Sequence, residues 1–266
     1  MALRNLRLDN RLLRHGDYSA VLTKFDNFDL VLTSPPYNIG SGGDRQDGYR
    51  KKGQFDRKSF GGVKSYFDTW PEETYQELQR TFLTWAANKL SPNGVIAYSH
   101  KNRHKNKKLI SPYEWILPLV SSGTLKVYEE IVWDRGSTHN HDKNYLYPES
   151  ERVYILCKPD AIPYFKNYDP LGRHKGMSDV WRIERSPRRT NHDAAFPLEL
   201  AKRLINCYTQ VGDLVCDPYS GSGTTFIAAS LLQREFVGSE LSEEHFVNAR
   251  KRIRSELRAA DLELRL

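Results

Sequence analysis

Short apolar runs alternate along this chain with amphipathic segments of helical period. The runs at 28–33 (FDLVLT) and 95–99 (VIAYS) are mostly apolar and rich in Val, Leu and Ile, which is typical of strands buried on both faces of a parallel sheet. Between them, residues 72–90 repeat apolar side chains at helical spacing directly after Pro71, a residue favoured at helix starts. A strand, a helix and a strand in this order predict an α/β unit.

The same rhythm recurs later in the chain, where it predicts an open, mainly parallel α/β sheet with helices on both faces. A turn is expected at 91–94 (SPNG), and Pro118 is expected to interrupt a helix at 111–121. The remaining predicted strands are 126–133, 152–157, 214–216 and 235–241, and the remaining predicted helices are 197–208, 225–232 and 243–264.

Two segments lack this rhythm and are predicted to be inserts. Residues 40–66 are rich in Gly, Arg, Lys and Asp and have little periodicity, so we expect a long mobile loop. Residues 160–191 are dense in Pro, Arg, His and aromatic residues and also lack a period. Segments of this length in compact domains are usually functional or disordered.

Bulk composition limits the partners and the compartment. The formal net charge is +7 and the pI is about 9.2, which favours an anionic partner such as nucleic acid. Cys157, Cys207 and Cys216 are scattered among apolar neighbours, so we expect buried free thiols rather than disulfides or a zinc site. No apolar run is long enough to span a membrane, and the charged amino terminus does not resemble a signal peptide, so a cytoplasmic protein is expected.

A glycine-rich turn, DPYSGSGTT at 217–225, joins a predicted strand to a predicted helix. Small residues allow backbone N–H groups to approach a ligand, but a phosphate-binding P-loop would need a lysine where Thr224 stands. Glu240 ends the next strand, about twenty residues on, where a carboxylate can accept both hydroxyls of a ribose. A tight turn with a capping aspartate would explain the glycines alone, whereas the added Glu240 favours an adenosine-containing cofactor.

A second motif, TSPPY at 33–37, ends the strand at 28–33. Together with DPYSGSGTT it resembles the β class of DNA amino-methyltransferases, which use S-adenosylmethionine and carry the catalytic motif before the cofactor motif. The segments RHGDYSAVL, ESERVYILCK, SDVWRI and NHDAAFPLELAKRLI also resemble elements of that family. The resemblance covers most of the chain and implies a Rossmann-like methyltransferase fold with DNA-recognition inserts.

The chemistry of amino methylation accounts for the tetrapeptide SPPY. An exocyclic amino nitrogen is a poor nucleophile because its lone pair is delocalised into the ring; acceptors for its two hydrogens would localise that lone pair. We expect Ser34 and the Pro35 carbonyl to be these acceptors, Pro36 to stiffen the corner, and Tyr37 to offer a ring on which a flipped base stacks. Carbon-5 cytosine methylation would need a Pro-Cys dipeptide, which the sequence lacks.

The resemblance also assigns the remaining site residues. It implies Asp17 near the adenine, Glu240 at the ribose and Phe196 at the pocket wall, with no metal. The turn residues that would line the methionine part are Asp217, Pro218, Tyr219, Gly221, Gly223 and Thr224. The basic residues expected to contact DNA are Arg50, Lys51, Lys52, Lys101, Arg103, Arg173, Lys175, Arg182, Arg188 and Arg189, although solvated basic loops would look the same.

The leading hypothesis is a restriction-modification methylase that transfers a methyl group from S-adenosylmethionine to cytosine N4, because the family mostly pairs SPPY with cytosine. An adenine-N6 enzyme and a non-catalytic DNA-binding protein of the same fold stay open. Double-stranded DNA is the expected partner, and the resemblance allows a homodimer and a cognate restriction endonuclease. The expected division is 1–159 for the first catalytic part, 160–191 for target recognition and 192–266 for the cofactor-binding part.

Overall fold

A computed structural model describes residues 5–39, 70–136, 145–146, 148–166, 177–184 and 197–263. The strands in these ranges are β1 (Asn5–Leu8), β2 (Arg11–His15), β3 (Phe28–Thr33), β4 (Leu90–His100), β5 (Arg103–Lys105), β6 (Lys108–Ile110), β7 (Lys126–Asp134), β8 (Ser150–Cys157), β9 (Val180–Arg182), β10 (Leu214–Asp217) and β11 (Glu235–Glu240). The helices are α1 (Tyr18–Val21), α2 (Glu72–Lys89), α3 (Tyr113–Ser121), α4 (Leu198–Tyr208), α5 (Thr224–Leu231) and α6 (Glu243–Glu263).

Nine of the described strands form one sheet in the order β1-β2-β11-β10-β3-β4-β8-β7-β9, and β5 pairs with β6 in a separate hairpin. The stretch from β2 to β4 is parallel throughout, and β7 and β9 are also parallel. The pairs β1–β2, β4–β8 and β7–β8 are antiparallel. The predicted open, mainly parallel α/β sheet is confirmed.

The chain reverses its direction across the sheet between β3 and β10. After β3 it passes through α2 to β4 on one side, and after β10 it passes through α5 to β11 on the other side. Such a switch point leaves a crevice beyond the carboxyl ends of the two central strands, which is where open α/β sheets bind ligands.

Successive side chains of the central strands pack alternately into two hydrophobic cores, one on each face of the sheet. In β3, Leu30 and Leu32 pack with helices α4, α5 and α6, whereas Val31 packs with helices α1, α2 and α3. The alternation follows from the two-residue period of a strand. Because both faces are covered, β3 lacks a polar face, which is why it could be recognised in the sequence as a short apolar run.

The predicted turn at 91–94 is wrong, because these residues lie within β4 as a bulge. Phe28 pairs with Leu90, but Leu30 pairs with Val95, so β4 contains extra residues over this interval. A Cβ atom added to Gly94 would lie 2.3 Å from the Phe28 carbonyl oxygen, which explains the glycine there. Pro118 also differs from expectation, since α3 continues past it.

Several elements had no clear signal in the sequence. Strands β1 and β2 form an edge hairpin in which polar and charged residues interrupt the leucines, so neither strand forms a long apolar run. Strand β9 lies inside the predicted 160–191 insert, yet it pairs with β7, and its Trp181 is buried in the core. The predicted mobile loop at 40–66 lies outside the described residues.

The three cysteines are free and buried, as expected. Within the described ranges, no helix combines the length and the apolar character that a membrane span needs.

Candidate active site

The two motifs singled out in the sequence meet at the switch point. TSPPY begins at the last residue of β3, and DPYSGSGTT begins at the last residue of β10. These strands are neighbours in parallel register. The Thr33 hydroxyl donates to Asp217 Oδ1 at 3.1 Å, and both residues are buried. This hydrogen bond ties the proline corner to the glycine turn across 184 residues of sequence.

A chain of hydrogen bonds leads from Ser34 into the interior. The Ser34 hydroxyl donates to Tyr37 Oη at 2.8 Å, and the Tyr37 hydroxyl donates to Glu151 Oε2 at 3.1 Å. Glu151 Oε1 accepts from Arg135 Nη1 at 2.7 Å. Arg135 and Glu151 are both buried, and Arg135 also donates to the Pro148 carbonyl.

This chain of bonds has a fixed direction because Glu151, as a carboxylate paired with a guanidinium, can only accept. Burial and the neighbouring Glu151 raise the pKa of Tyr37 well above its usual value, so Tyr37 keeps its proton at neutral pH. The Tyr37 proton therefore goes to Glu151, and the Tyr37 oxygen accepts the Ser34 proton. Ser34 is left with its lone pairs directed elsewhere.

A second set of contacts holds the proline corner from the other side. The Tyr75 hydroxyl lies 2.7 Å from the Pro36 carbonyl oxygen and 2.7 Å from His100 Nε2. His100 is buried, which lowers its pKa to about 3, so the ring is neutral. His100 Nδ1 lies 2.8 Å from the Lys101 carbonyl oxygen, so both ring nitrogens of His100 contact neighbouring polar groups.

The ring of Tyr37 is held by the same neighbours. It lies 4.5 Å from the His100 ring, centroid to centroid, and the Lys101 ammonium lies 5.8 Å from the Tyr37 centroid. Since the hydroxyl is fixed to Ser34 and Glu151 as well, the orientation of the ring is set by contacts at both ends.

Asp217 organises the glycine-rich turn. Its Oδ1 accepts from the Tyr219 backbone N–H at 3.1 Å as well as from Thr33, and its Oδ2 accepts from the Thr225 hydroxyl at 2.6 Å. Burial raises the pKa of Asp217 to about 6, against the lowering effect of these donors. The Asp217 carboxyl group thus connects the start of the turn to Thr225 at its end.

Two glycines near the turn are explained by packing. Gly223 is the N-cap of α5 with φ 78°, and a Cβ atom there would lie 2.8 Å from Ile253 Cδ1 on α6. A Cβ atom on Gly238 of β11 would lie 2.5 Å from Ser220 Oγ. Gly221 also has a left-handed φ of 49°. These positions let the turn cross β11 closely.

Glu240 ends β11 beside this turn and is 6 % exposed. Its two oxygens accept the backbone N–H groups of Gly221 and Ser242, each at 2.8 Å. Burial raises the pKa of Glu240 from 4.5 to about 7, although these donors oppose the rise. A carboxylate can accept about four hydrogen bonds, so both oxygens retain capacity for further donors.

Asp17 follows Gly16, whose backbone N–H donates to the Glu240 carbonyl oxygen at 2.9 Å. The backbone at Asp17 therefore lies beside the end of β11. The side chain of Asp17 is exposed and caps α1, accepting from the Ser19 N–H at 2.9 Å.

The side chains of the other turn residues face protein. Tyr219 packs against Phe82 at 5.1 Å and Tyr18 at 5.4 Å between ring centroids. The Thr224 hydroxyl accepts from Arg252 Nη1 on α6 at 2.8 Å. The Pro218 carbonyl accepts from the Ser239 hydroxyl, and Phe196 lies outside the described residues.

The predicted DNA contacts divide into three groups. Lys101 is half-buried beside Tyr37, and Arg182 is exposed near Asp134. Arg103 requires correction: it is buried and donates two hydrogen bonds to Glu72 at 2.7 and 2.9 Å, so its guanidinium does not face a DNA surface. The others, Arg50, Lys51, Lys52, Arg173, Lys175, Arg188 and Arg189, lie outside the described residues.

Sequence reasoning missed Arg135, Glu151, His100 and Tyr75. A weak signal existed, since Arg135 and Glu151 are opposite charges that lie within two residues of two predicted strands. The Trp133–Glu151 register of β7 and β8 brings them together, and that register is not visible in the sequence. Among the described residues, no group of three or more His, Cys, Asp or Glu side chains is placed to hold a metal ion.

Comparison with known proteins gives one family and several relatives. The N6/N4 methyltransferase family model, described as DNA methylase, matches residues 28–251. The type II methyltransferase M2.DpnII of Streptococcus pneumoniae is 28% identical, over 92% of this chain and 90% of the relative. The DNA adenine methyltransferase YhdJ of Escherichia coli (strain K12) is 25% identical, over 90% of this chain and 81% of the relative.

Solved structures with the same fold include the PvuII DNA methyltransferase, described as cytosine-N4-specific. It has a TM-score of 0.71 and 17% identity, over 93% of this chain and 91% of that one. TTHA0409 of Thermus thermophilus, a putative DNA modification methylase solved with S-adenosyl-L-methionine, has a TM-score of 0.64 and 22% identity, over 92% and 95% of the two chains. These structures support the fold seen here.

Proposed function

Because the chain belongs to the DNA methylase family whose model matches residues 28–251, we propose that it transfers a methyl group from S-adenosylmethionine to the exocyclic N4 amino group of cytosine in DNA. The observation that carries the proposal is the directed chain of hydrogen bonds from Ser34 through Tyr37 to Glu151, at the switch point beside the Asp217 turn. It makes Ser34 an acceptor at the position where an amino group would be methylated.

The residues at the end of β11 fit the proposed cofactor. Glu240 is buried, its two oxygens have acceptor capacity left, and its carboxylate lies against the Gly221 backbone. Glu240 would hold the ribose hydroxyls, and the turn backbone from Asp217 to Gly223 would line the methionine part. Asp17 and Phe196 keep their proposed places at the adenine and the pocket wall.

When bound, S-adenosylmethionine supplies an electrophilic methyl group on a positively charged sulfur. The protein prepares the nucleophile. Ser34 and the Pro35 carbonyl accept the two amino hydrogens and draw the nitrogen lone pair out of the base. Tyr37 and Glu151 hold the Ser34 proton away from the base, so that Ser34 cannot turn a donor toward it.

Tyr75 keeps this corner in place by its hydrogen bond at the Pro36 carbonyl. The Pro36 carbonyl is thereby engaged with protein, which fits the assignment of the neighbouring Pro35 carbonyl as the second acceptor. The Tyr37 ring keeps its proposed role as a stacking surface for a flipped base, with its orientation set by His100 and the hydroxyl contacts.

Cytosine is favoured because the acceptor in this corner is a serine, the form that resembles the cytosine-N4 enzymes. An adenine-N6 reaction is the second candidate, because adenine presents a chemically similar amino group and a relative over most of the chain is named a DNA adenine methyltransferase. The proposed setting is a restriction-modification system in the cytoplasm with double-stranded DNA as substrate, and a homodimer and a partner endonuclease remain proposals.

Product analysis tests the proposal. The protein is incubated with unmethylated genomic DNA and S-adenosylmethionine, the DNA is digested to nucleosides, and the masses are measured. N4-methylcytosine is the expected product, and N6-methyladenine would move the assignment to the second candidate. Folded protein that binds DNA but yields no methylated nucleoside would refute both. Ser34→Ala, prepared in parallel, controls for a contaminating methylase.

A further inference from the structure

The β5–β6 hairpin projects from the same edge of the sheet as the candidate active site. Strand β4 runs parallel to β3 and pairs Tyr98 with Thr33, so the carboxyl ends of both strands lie together. The hairpin begins at Arg103, three residues after β4 ends at His100. Lys101, in the link between them, contacts the Tyr37 ring. The hairpin therefore starts beside the corner that holds Ser34.

The base of the hairpin is fixed to the protein core. Arg103 is buried, forms a two-pronged ion pair with Glu72 of α2, and lies 4.8 Å from the Tyr75 ring centroid. Ile110, paired with Arg103 across the hairpin, is buried as well. Tyr75 in turn holds the Pro36 carbonyl. One set of contacts thus links the base of the hairpin to the proline corner.

The rest of the hairpin is exposed and basic. Its tip is a tight turn in which Asn106 and Lys107 have φ values of 51° and 60°, the backbone form typical of two-residue hairpin turns. Lys107 and Lys108 are exposed and Lys105 is half-buried. Residues 100–110 are rich in lysine and arginine and contain no acidic residue.

The contacts that these lysines make inside the protein are weak. Lys105 lies 3.9 Å from Glu72, and Lys108, whose side chain is 68% exposed, lies 3.3 Å from Glu114. Exposed ion pairs of this kind contribute little to stability. The lysines therefore can exchange these partners for an external anion at small cost.

We propose that the β5–β6 hairpin docks on the DNA backbone beside the target base, with Lys105, Lys107 and Lys108 contacting phosphates. The inference rests on the proposed function in taking DNA as the ligand. A two-stranded ribbon is narrow enough to follow a DNA groove, and lysines along it neutralise phosphates and release counterions. Because its base is fixed to the proline corner, the hairpin sets where the target base lies relative to Ser34.

The test compares three variants of the full chain. The hairpin variant is Lys105→Gln/Lys107→Asn/Lys108→Gln, with asparagine at 107 because it tolerates the left-handed backbone. The matched control removes three charges from outside the hairpin, by Lys24→Gln/Lys202→Gln/Lys251→Gln. The charge-preserving variant replaces the three hairpin lysines with arginines. Binding to a fluorescent mixed-sequence duplex is measured by anisotropy over a salt series.

The hairpin variant is expected to bind more weakly at low salt. Its slope of log affinity against log salt should fall by about one unit for each phosphate that the variant no longer neutralises. If the variant and the unmodified protein bind equally at 1 M salt, a slope difference of one unit corresponds to roughly tenfold weaker binding of the variant at 0.1 M salt for each lost phosphate contact. The control and the arginine variant should keep slopes near that of the unmodified protein. Equal slopes for the hairpin variant and the control would overturn the proposal.

Two further measurements keep the result interpretable. The single change Lys107→Asn lies at the tip, away from the anchored base of the hairpin, so it tests the phosphate contact if the triple variant is unstable. An unchanged salt slope for Lys107→Asn would contradict a phosphate contact by Lys107. Methylation is assayed separately. If the unmodified protein yields no methylated nucleoside while the hairpin variant still loses DNA affinity, the hairpin proposal stands and the methyltransferase assignment fails. If the hairpin variant binds and methylates like the control, only the hairpin proposal fails.

Discussion

The substitution Tyr37→Phe separates the hydroxyl of Tyr37 from its ring. It keeps the aromatic surface next to His100 but removes both the acceptor for the Ser34 proton and the donor to Glu151. If the hydroxyl chain holds Ser34 as an acceptor, methylation should slow while cofactor binding and base stacking are kept.

The expected loss of rate has a lower and an upper limit. Losing the Ser34–Tyr37 hydrogen bond alone corresponds to about 1 kcal/mol, or roughly fivefold in kcat. A complete loss of the Ser34 interaction in the transition state corresponds to about 2.7–4 kcal/mol, or roughly 10²- to 10³-fold. A value between these limits is expected in single-turnover methylation assays.

The effect of Tyr37→Phe on stability needs its own control. The substitution also removes the hydrogen bond to the Glu151 carboxylate, and a hydrogen bond to a charged group contributes about 1.5–3 kcal/mol to stability. Tyr208 offers a control: it is 3% exposed, and its hydroxyl also donates to a carboxylate, Glu129 Oε2, at 3.2 Å. Tyr208 ends α4, which precedes the amino end of β10, so it lies away from the carboxyl edge. Glu129 is exposed whereas Glu151 is buried, so Tyr208→Phe should lower the unfolding free energy by less than Tyr37→Phe does, and it should leave kcat unchanged.

A double-mutant cycle gives the decisive comparison. If Tyr37 acts through Ser34, then Ser34→Ala/Tyr37→Phe should be no slower than Ser34→Ala alone. If the two single-variant rate losses multiply in the double variant, Ser34 and Tyr37 act independently. A folded Tyr37→Phe protein with an unchanged kcat would refute the role given to the hydroxyl chain.

Three other residues give four further predictions. Ser34→Ala should slow methylation on the order of 10²-fold or more and leave the cofactor Kd unchanged by calorimetry, so lost cofactor binding would contradict its place at the base. The pKa of Glu240 is raised to about 7 from 4.5; ribose hydroxyls favour the ionised form, so cofactor affinity should rise as pH rises through 7, and Glu240→Gln should remove that dependence. The same shift means that Glu240 contributes stability below pH 4.5 that is lost as pH rises toward 7, by up to about 1.4 kcal/mol per pH unit, as urea unfolding can show. Arg103→Met should lower the unfolding free energy by about 3 kcal/mol in denaturant titrations, because Glu72 loses both hydrogen bonds from the Arg103 guanidinium, and an unchanged midpoint would contradict the anchoring role.

The central part of the fold was predictable because its signals are local. Strand β3 matches the predicted residues 28–33, and helix α2 begins at the predicted residue 72. Both elements could be recognised because they are buried on one side or on both, which leaves a pattern of apolar residues in the local sequence. Strands β1 and β2 lie at the sheet edge, where polar and charged residues between the leucines hide the apolar pattern, and β9 is only 3 residues long.

Arg103 shows how far composition can mislead. In the sequence it lies in a basic run and is predicted to contact DNA, yet it is the buried anchor of the hairpin that its neighbours extend. The alternation of a strand puts Arg103 inward and His104 outward, and no count of charges distinguishes the two.

The sequence by itself determined that two strand ends carry a proline corner and a glycine turn, because each motif is a continuous stretch whose backbone form depends on its own residues. Only the tertiary structure decided what Ser34 can do. Tyr37 and Glu151 are 114 residues apart, and they meet because of strand pairing that no single segment encodes. The direction of the Ser34 proton depends on that contact, since a buried carboxylate paired with Arg135 can only accept.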